Sequence, residues 1–208
     1  MVLLIDSSTG SISDVAFRSM FAARKSVFID LLKWDLPVLE GRYEIDQFDD
    51  AHARYLIITD LDHQHLASAR LLPTTRPHIL DSIFPALCEG EPPQGPAVWE
   101  ITRFCLDRRL RSAERRQVRD QLVTALAAHA LETGIDTYTG VAEMGWLQQI
   151  LSFGWDCRAI GEPLRSGGSL LGALEITITP NTPVELAAGG VWSPLSIHEM
   201  PARSAVNA

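Results

Sequence analysis

An α/β sandwich, a mixed central sheet flanked by helices, is the fold this sequence predicts. Three observations point there. Short aliphatic and β-branched runs alternate with two long stretches of helical periodicity. Two of those runs, 55–59 and 65–72, flank a turn at 60–64 and read as a hairpin, so the sheet is not all parallel. Of the 208 residues, 46% are hydrophobic and 21% charged, enough to bury a core in one domain.

Each element has its own reason. Residues 2–5 read as a first strand. The apolar Met1–Ile5 run meets Asp6 at once and has no basic segment before it, so it is not a signal peptide. Ser11 or Ser13 caps a helix running to about Leu32, with Val15, Met20, Val27, Phe28, Leu31 and Leu32 at helical spacing. Trp34 marks its end, and Pro37 forbids continuation. Residues 38–53 have no period and are rich in acids (Glu40, Glu44, Asp46, Asp49, Asp50), which reads as a loop. Tyr55–Thr59 and His65–Leu72 form the hairpin. Pro73 and Pro77 bracket an irregular stretch, a short helix covers 79–87, and Gly90, Pro92, Pro93, Gly95 and Pro96 make 88–96 a loop.

Val98–Leu106 is the next strand. Residues 113–132 carry Val118, Leu122, Ala125, Leu126, His129 and Ala130 on one face, with Gly134 as the stop. A strand at 137–142, a helix at 145–153 ended by Gly154, and strands at 157–160 and 170–179 follow. The expected domain is 1–180. Residues 181–208 are an extension that gains order only by docking. No G-x-G-x-x-G occurs, and the early hairpin does not fit a dinucleotide-binding crossover fold.

Composition excludes several functions. The net charge of −8 and pI of about 5.2 disfavour nucleic-acid binding. Cys88, Cys105 and Cys157 show no C-x-x-C spacing, which argues against a disulfide framework or zinc site and for reduced thiols in the cytoplasm. The histidines at 52, 63, 65, 78, 129 and 198 have no ligand spacing, so no metal is expected. No run of about 18 apolar residues exists, and no membrane span is expected.

The charges that remain are oddly placed. Arg24 shares a helix face with Phe28. Arg70 interrupts the small, apolar run 66–72. Glu100 and Arg103 lie in the strand at 98–106, where alternation puts Glu100 and Thr102 on one side and Arg103 on the other unless a bulge intervenes. Charges inside apolar strands are costly unless paired. Three arginines and the acids of 44–49 can satisfy one another and leave a polar site. Such a site suits a cationic zwitterion: carboxylates for an ammonium or sulfonium, arginine for a carboxylate, Phe28 and Trp34 for a flat ring. A second cluster is basic. Seven arginines (103, 108, 109, 111, 115, 116, 119) face only Asp107 and Glu114. Placed at a strand-to-helix junction, they suit a phosphate group.

Together these residues resemble the acyl-homoserine lactone synthases, the autoinducer synthases of bacterial quorum sensing. The likeness rests on Arg24, Phe28 and Trp34; Glu44-x-Asp46-x-x-Asp49; Arg70-Leu71-Leu72-Pro73-Thr74; Phe84; and Trp99-Glu100-x-x-Arg103-Phe104. Thr102 departs from the family's usual serine but keeps the hydroxyl. The resemblance implies a GNAT-like three-layer sandwich and an acyltransferase with two substrates. S-adenosylmethionine supplies the lactone, and acyl carrier protein or coenzyme A delivers the acyl thioester. It implies Glu100 as base, with Arg103 anchoring the carboxylate or orienting Glu100. Arg24, Phe28, Trp34, Asp46, Asp49, Arg70 and Phe104 would hold S-adenosylmethionine. Backbone N–H groups near Phe104 and Cys105 would steady the oxyanion. Arg108, Arg109, Arg115 and Arg116 would meet the carrier, and Met144, Trp146, Leu147 and Ile150 would line the acyl chain. Two other readings stay open on the residues alone: a generic GNAT N-acyltransferase using acyl-CoA, and a non-catalytic module that binds S-adenosylmethionine or the carrier protein.

Overall fold

The computed structural model describes residues 1–6, 15–193 and the strand at 197–199. It divides into two compact units. The first comprises residues 1–70 and 103–122 together with the strand at 197–199; the second comprises 71–102 and 123–194.

In the first unit β1 (Val2–Asp6) pairs antiparallel with β4 (Arg54–Thr59), register Val2↔Ile58 to Asp6↔Arg54. The strand order is β11-β1-β4-β5-β6, with β5 at His65–Pro73, β6 at Val98–Leu106 and β11 at Ile197–Glu199. Strands β5 and β6 pass into the second unit after Arg70 and before Arg103. Buried residues on both faces of β4 (Tyr55 through Thr59) show that this strand has no solvent side, the mark of a central strand covered by helices. Helix α1 (Val15–Arg24) buries Ala16, Phe17, Met20, Phe21 and Arg24. That spacing is one helical face, so the apolar stripe itself carries Arg24 inward. The Ser11 and Ser13 caps expected from sequence lie outside the described residues.

Two details of this unit differ from expectation. The helix does not run on as α-helix: residues Lys25–Leu31 are π-helical, with Leu32 N–H donating to the Val27 carbonyl. The wider turn buries Val27 and Phe28 and leaves Leu31 and Leu32 exposed. Residues 38–53 are not all loop, since β2 (Val38–Leu39) and β3 (Tyr43–Glu44) pair in a small hairpin. Positive φ at Glu40 and Gly41 makes the turn.

In the second unit the order is β5-β6-β7-β10-β8, with β7 at Thr137–Glu143, β8 at Asp156–Ala159 and β10 at Ser169–Thr177. β6 and β7 are parallel, while β7–β10 and β10–β8 are antiparallel, so the sheet is mixed as expected. A strand that periodicity did not signal, β9 (Leu164–Ser166), pairs with β10 across a tight turn at Gly167 and Gly168. The predicted 79–87 helix is two pieces, α2 (Ile79–Ser82) and a 3-10 turn at Pro85–Leu87. Helix α3 (Ser112–Thr133) ends where predicted, with Gly134 at φ +75°. Its Leu126 carbonyl accepts the buried Tyr138 hydroxyl. Helix α4 (Met144–Leu151) buries Leu147 and Ile150.

The stretch after Pro180 holds a helix, α5 (Thr182–Ala188). Leu186 and Val191 are buried, and Val191 accepts the Thr124 hydroxyl. Strand β11 pairs parallel with β1. No helix among the described residues is long and apolar enough to cross a membrane.

Candidate active site

Three arginines and three carboxylates form a buried assembly in the first unit. Arg24, brought in by the apolar face of α1, donates Nε to Glu44 Oε2 at 2.5 Å. Its two terminal nitrogens grip Asp49 at 2.8 and 2.9 Å. Arg70 holds Asp46 at 2.6 and 3.1 Å and lies 2.9 Å from Asp49. Arg103 bridges Glu44 Oε1 at 3.1 Å and Asp46 Oδ2 at 2.6 Å. Tyr55 donates its hydroxyl to Asp49 at 2.7 Å. Every charge has an opposite within hydrogen-bond reach, which is the condition for ionised groups to sit in a core.

The backbone supports this. Asp49 also accepts the Asp46 N–H, and Asp46 accepts the Phe48 N–H. Loop 44–49 is therefore folded around its own carboxylates. Burial pushes the Asp49 carboxyl up, but the Arg24 and Arg70 guanidiniums outweigh it and hold it well below the usual carboxylate range. Burial opposes ionisation of Asp46 in the same way, and Arg70 and Arg103 pull it down. Burial drives the Tyr55 hydroxyl up, and Asp49 adds to that, so the phenol stays a donor. Oxygens of Glu44, Asp46 and Asp49 lie within 4.8 Å of one another, a spacing that a cation would accept. Here three guanidiniums supply the balancing charge.

Aromatic rings complete the assembly. Phe28 and Trp34 stack with centroids 5.0 Å apart and planes 17° from parallel. The Arg103 guanidinium lies 5.6 Å from the Phe28 centroid, and Arg24 lies 5.0 Å from that of Phe21. The π-helical turn makes the stack: Trp34 N–H bonds the Phe28 carbonyl, and Lys33 adopts φ +61° to bring it back. Val27, Phe28 and Cys105 cluster there, with Trp34 against them. Burial lifts the Cys105 thiol to about 12, so it is no nucleophile at neutral pH.

Arg103 has φ +51° in the middle of β6. A non-glycine residue there costs roughly 1–3 kcal/mol and persists only where surroundings impose it. Glu44, Asp46 and the Phe28 ring are those surroundings. This is the break in alternation: Glu100 and Thr102 are buried before it, Cys105 and Leu106 after it. Phe104 is half-buried beside it.

Glu100 belongs to the second unit and is fully buried. Its carboxylate accepts Ile79 N–H at 2.7 Å and Leu80 N–H at 2.9 Å, the first turn of α2. Of the expected acyl-lining residues, Leu147 and Ile150 are buried, and Met144 and Trp146 are half-buried. Gly172 of β10 faces α4 closely: a Cβ there would meet the Leu147 Cδ2 at 2.7 Å and the Met144 sulfur at 3.3 Å, both side-chain ends that can shift. Trp146 packs edge-on against Phe153, and Trp155 donates to the Ile150 carbonyl. Leu80, Leu87 and Ala173 form a separate apolar cluster with Phe84, Val141, Ile160 and Leu171 around them.

The arginine segment divides. Arg103 is spent in the buried assembly, and Arg119 pairs with Asp120 at 2.6 Å. Arg108, Arg109, Arg111, Arg115 and Arg116 are exposed. Arg109 pairs with Asp107, Arg115 donates to the Asp107 carbonyl, and Arg108 donates to the Ser26 carbonyl.

Of the residues singled out from sequence, the structure brings Arg24, Asp46, Asp49, Arg70, Arg103, Phe28 and Trp34 together. Sequence reasoning missed Tyr55, which nothing distinguishes from a core tyrosine until Asp49 is seen beside it. It also missed the central place of Glu44, which joins Arg24 to Arg103.

The family described as autoinducer synthase matches residues 9–179. An acyl-homoserine-lactone synthase of Rhizobium etli is 35% identical over 143 residues, 67% of each chain. One from Pseudomonas fluorescens is 43% identical over 83 residues, 39% of this chain and 42% of that protein, so this match spans about two-fifths of that relative's length. The crystal structure of the synthase LasI superposes with a TM-score of 0.81 and 28% identity, covering 91% of this chain and 95% of that one.

Proposed function

The chain belongs to the autoinducer synthase family, and from that premise we propose that it makes an acyl-homoserine lactone from S-adenosylmethionine and an acyl thioester. The amine nitrogen of S-adenosylmethionine attacks the thioester carbonyl, the carbon–sulfur bond breaks, and the carrier leaves as a thiol. The methionyl carboxylate then attacks its own γ-carbon. The carbon–sulfonium bond breaks, methylthioadenosine leaves uncharged, and the lactone closes. The donor is acyl carrier protein or coenzyme A, and the setting is the cytoplasm, in keeping with the three free cysteines.

The observation that carries this reading is the self-neutralising assembly of Arg24, Arg70 and Arg103 with Glu44, Asp46 and Asp49. It is a rigid, preorganised polar wall, faced by the Phe28–Trp34 stack, for a substrate that carries an ammonium, a sulfonium, a carboxylate and a flat base. In this reading Asp46 and Asp49 set the negative field for the cation, Arg24 and Arg70 brace them, and Arg103 meets the carboxylate. Glu100, oriented by the α2 amides, accepts the proton that the ammonium must lose before attack. The left-handed turn at Arg103 redirects the strand around Phe104 and Cys105, where the oxyanion donors are proposed.

The exposed arginines 108, 109, 115 and 116 are proposed to receive the phosphopantetheine phosphate and the acidic carrier. Met144, Trp146, Leu147 and Ile150 are proposed to line the acyl chain. Incubation with S-adenosylmethionine and a panel of acyl-carrier and acyl-CoA thioesters tests the whole. Lactone and methylthioadenosine should appear together by mass spectrometry.

A further inference from the structure

The expected base, Glu100, does not stand alone. Its two oxygens receive the first two amides of α2, a helix of one turn. A one-turn helix does not hold its own shape in water, because nucleation fixes many dihedrals for few hydrogen bonds. Something outside the helix must set the direction of the Ile79 and Leu80 N–H groups.

Residue His78 does so, together with Asp81. The N-cap residue is His78, in extended backbone, and its N–H donates to Asp81 Oδ1 at 2.8 Å. The His78 ring is fully buried, with Nδ1 3.0 Å from the Arg76 carbonyl and 3.3 Å from Asp81 Oδ1. The Asp81 N–H points back at the same side of the ring and closes the capping box. Ser82 Oγ donates to the same Asp81 oxygen at 2.7 Å. The Asp81 carboxylate thus ties the backbone before the helix, the ring of the cap and the end of the helix to one point. His78 Nε2 is buried with no hydrogen-bond partner. A ring held only on its Nδ1 side, at the cost of a buried bare nitrogen, marks a place where the cap geometry has outweighed polar satisfaction.

We infer that the His78–Asp81 capping box is the positioning device for Glu100: it aims the Ile79 and Leu80 amides, and through them orients the carboxylate that takes the proton from the substrate amine. Asp81 is a positioning residue; it acts only through Glu100. The inference rests on the proposed synthase reaction, but its structural half does not. A base misplaced by a loosened support loses rate without losing substrate binding.

The test uses Asp81, which is a quarter exposed and is placed nowhere in the substrate-binding machinery. In Asp81→Ala, hydrogen exchange at the Ile79 and Leu80 amides should accelerate, kcat should fall roughly tenfold, and KM for S-adenosylmethionine should stay within about twofold. Asp81→Asn keeps an acceptor oxygen and should recover most of both losses. In a Glu100→Gln background, adding Asp81→Ala should cost less than about twofold, because the device has nothing left to orient. Unchanged exchange at Ile79 and Leu80 overturns the inference whatever the kinetics. So does a tenfold loss that persists in the Glu100→Gln background, or a loss confined to KM. If exchange responds as expected and the wild type forms no lactone, the synthase reading fails while the support of Glu100 stands.

Discussion

Glu44 is the residue on which the buried assembly turns. Its two oxygens hold Arg24 and Arg103, side chains from α1 and β6 that no other single carboxylate joins among the described ion pairs. Removing one partner from a buried ion pair leaves an uncompensated charge, and costs about 3–5 kcal/mol. Glu44→Ala should therefore destabilise the chain by about that amount in urea unfolding, far more than removal of an exposed acid such as Asp62. Stability should also fall with acid, in two stages. Burial holds the His65 imidazole down at about 4 against an ordinary value of 6.5. Between those values the unfolded chain takes a proton that the folded chain refuses, so stability declines as pH falls through that window. Asp46 and Asp49 add a second loss. Their folded pKa values lie below the usual carboxylate range, so their contribution is complete above about pH 4 and disappears as pH falls below it. Urea midpoints measured from pH 7.5 down to about pH 2 should trace both stages, and His65→Gln should flatten the upper one.

At the level of elements, the long strands and α3 were legible because period and stop signals agreed. Val118, Leu122, Ala125, Leu126, His129 and Ala130 are all buried. What was not legible has physical causes. The switch from α to π geometry at Lys25 leaves the spacing of apolar residues almost unchanged. It accompanies the return of Trp34 onto Phe28. The β2–β3 hairpin and β9 are too short for alternation to register. Helix α5 looked like tail because Pro180 and the alanines around it carry no periodicity. Its docking is instead written in glycines upstream. Gly154 has φ +101°, and a Cβ there would lie 2.6 Å from the Glu185 carbonyl. Gly154→Ala combines a disfavoured backbone with that contact and should lower stability by about 1–3 kcal/mol, and protease should then cut α5 first.

Across the whole molecule, the candidate site was legible to the extent that charges in apolar strands must find partners. That rule alone joins Arg24, Arg70 and Arg103 to the acids of 44–49. It could not say that Asp46 and Asp49 would be so fully engaged by arginine, nor that Glu100 would be held by α2, because both depend on loops that periodicity does not describe. The same division splits the arginine-rich segment. One member, Arg103, is buried and paired, and five are exposed. Reversing Arg111, Arg115 and Arg116 to glutamate should raise KM for an acyl-carrier-protein donor several-fold at low salt, by removing attraction to an acidic partner. It should leave S-adenosylmethionine binding unchanged by calorimetry.

The central claim is that the chain turns S-adenosylmethionine into a lactone, with Glu100 taking the proton that the amine loses before it attacks the thioester. The most direct measurement is single-turnover mass spectrometry with wild type and Glu100→Gln. The account predicts lactone and methylthioadenosine in equal amounts from wild type. It predicts strongly reduced yields of both from Glu100→Gln, with S-adenosylmethionine still bound. Acyl transfer to an amine without methylthioadenosine, or an undiminished rate in Glu100→Gln, would contradict it.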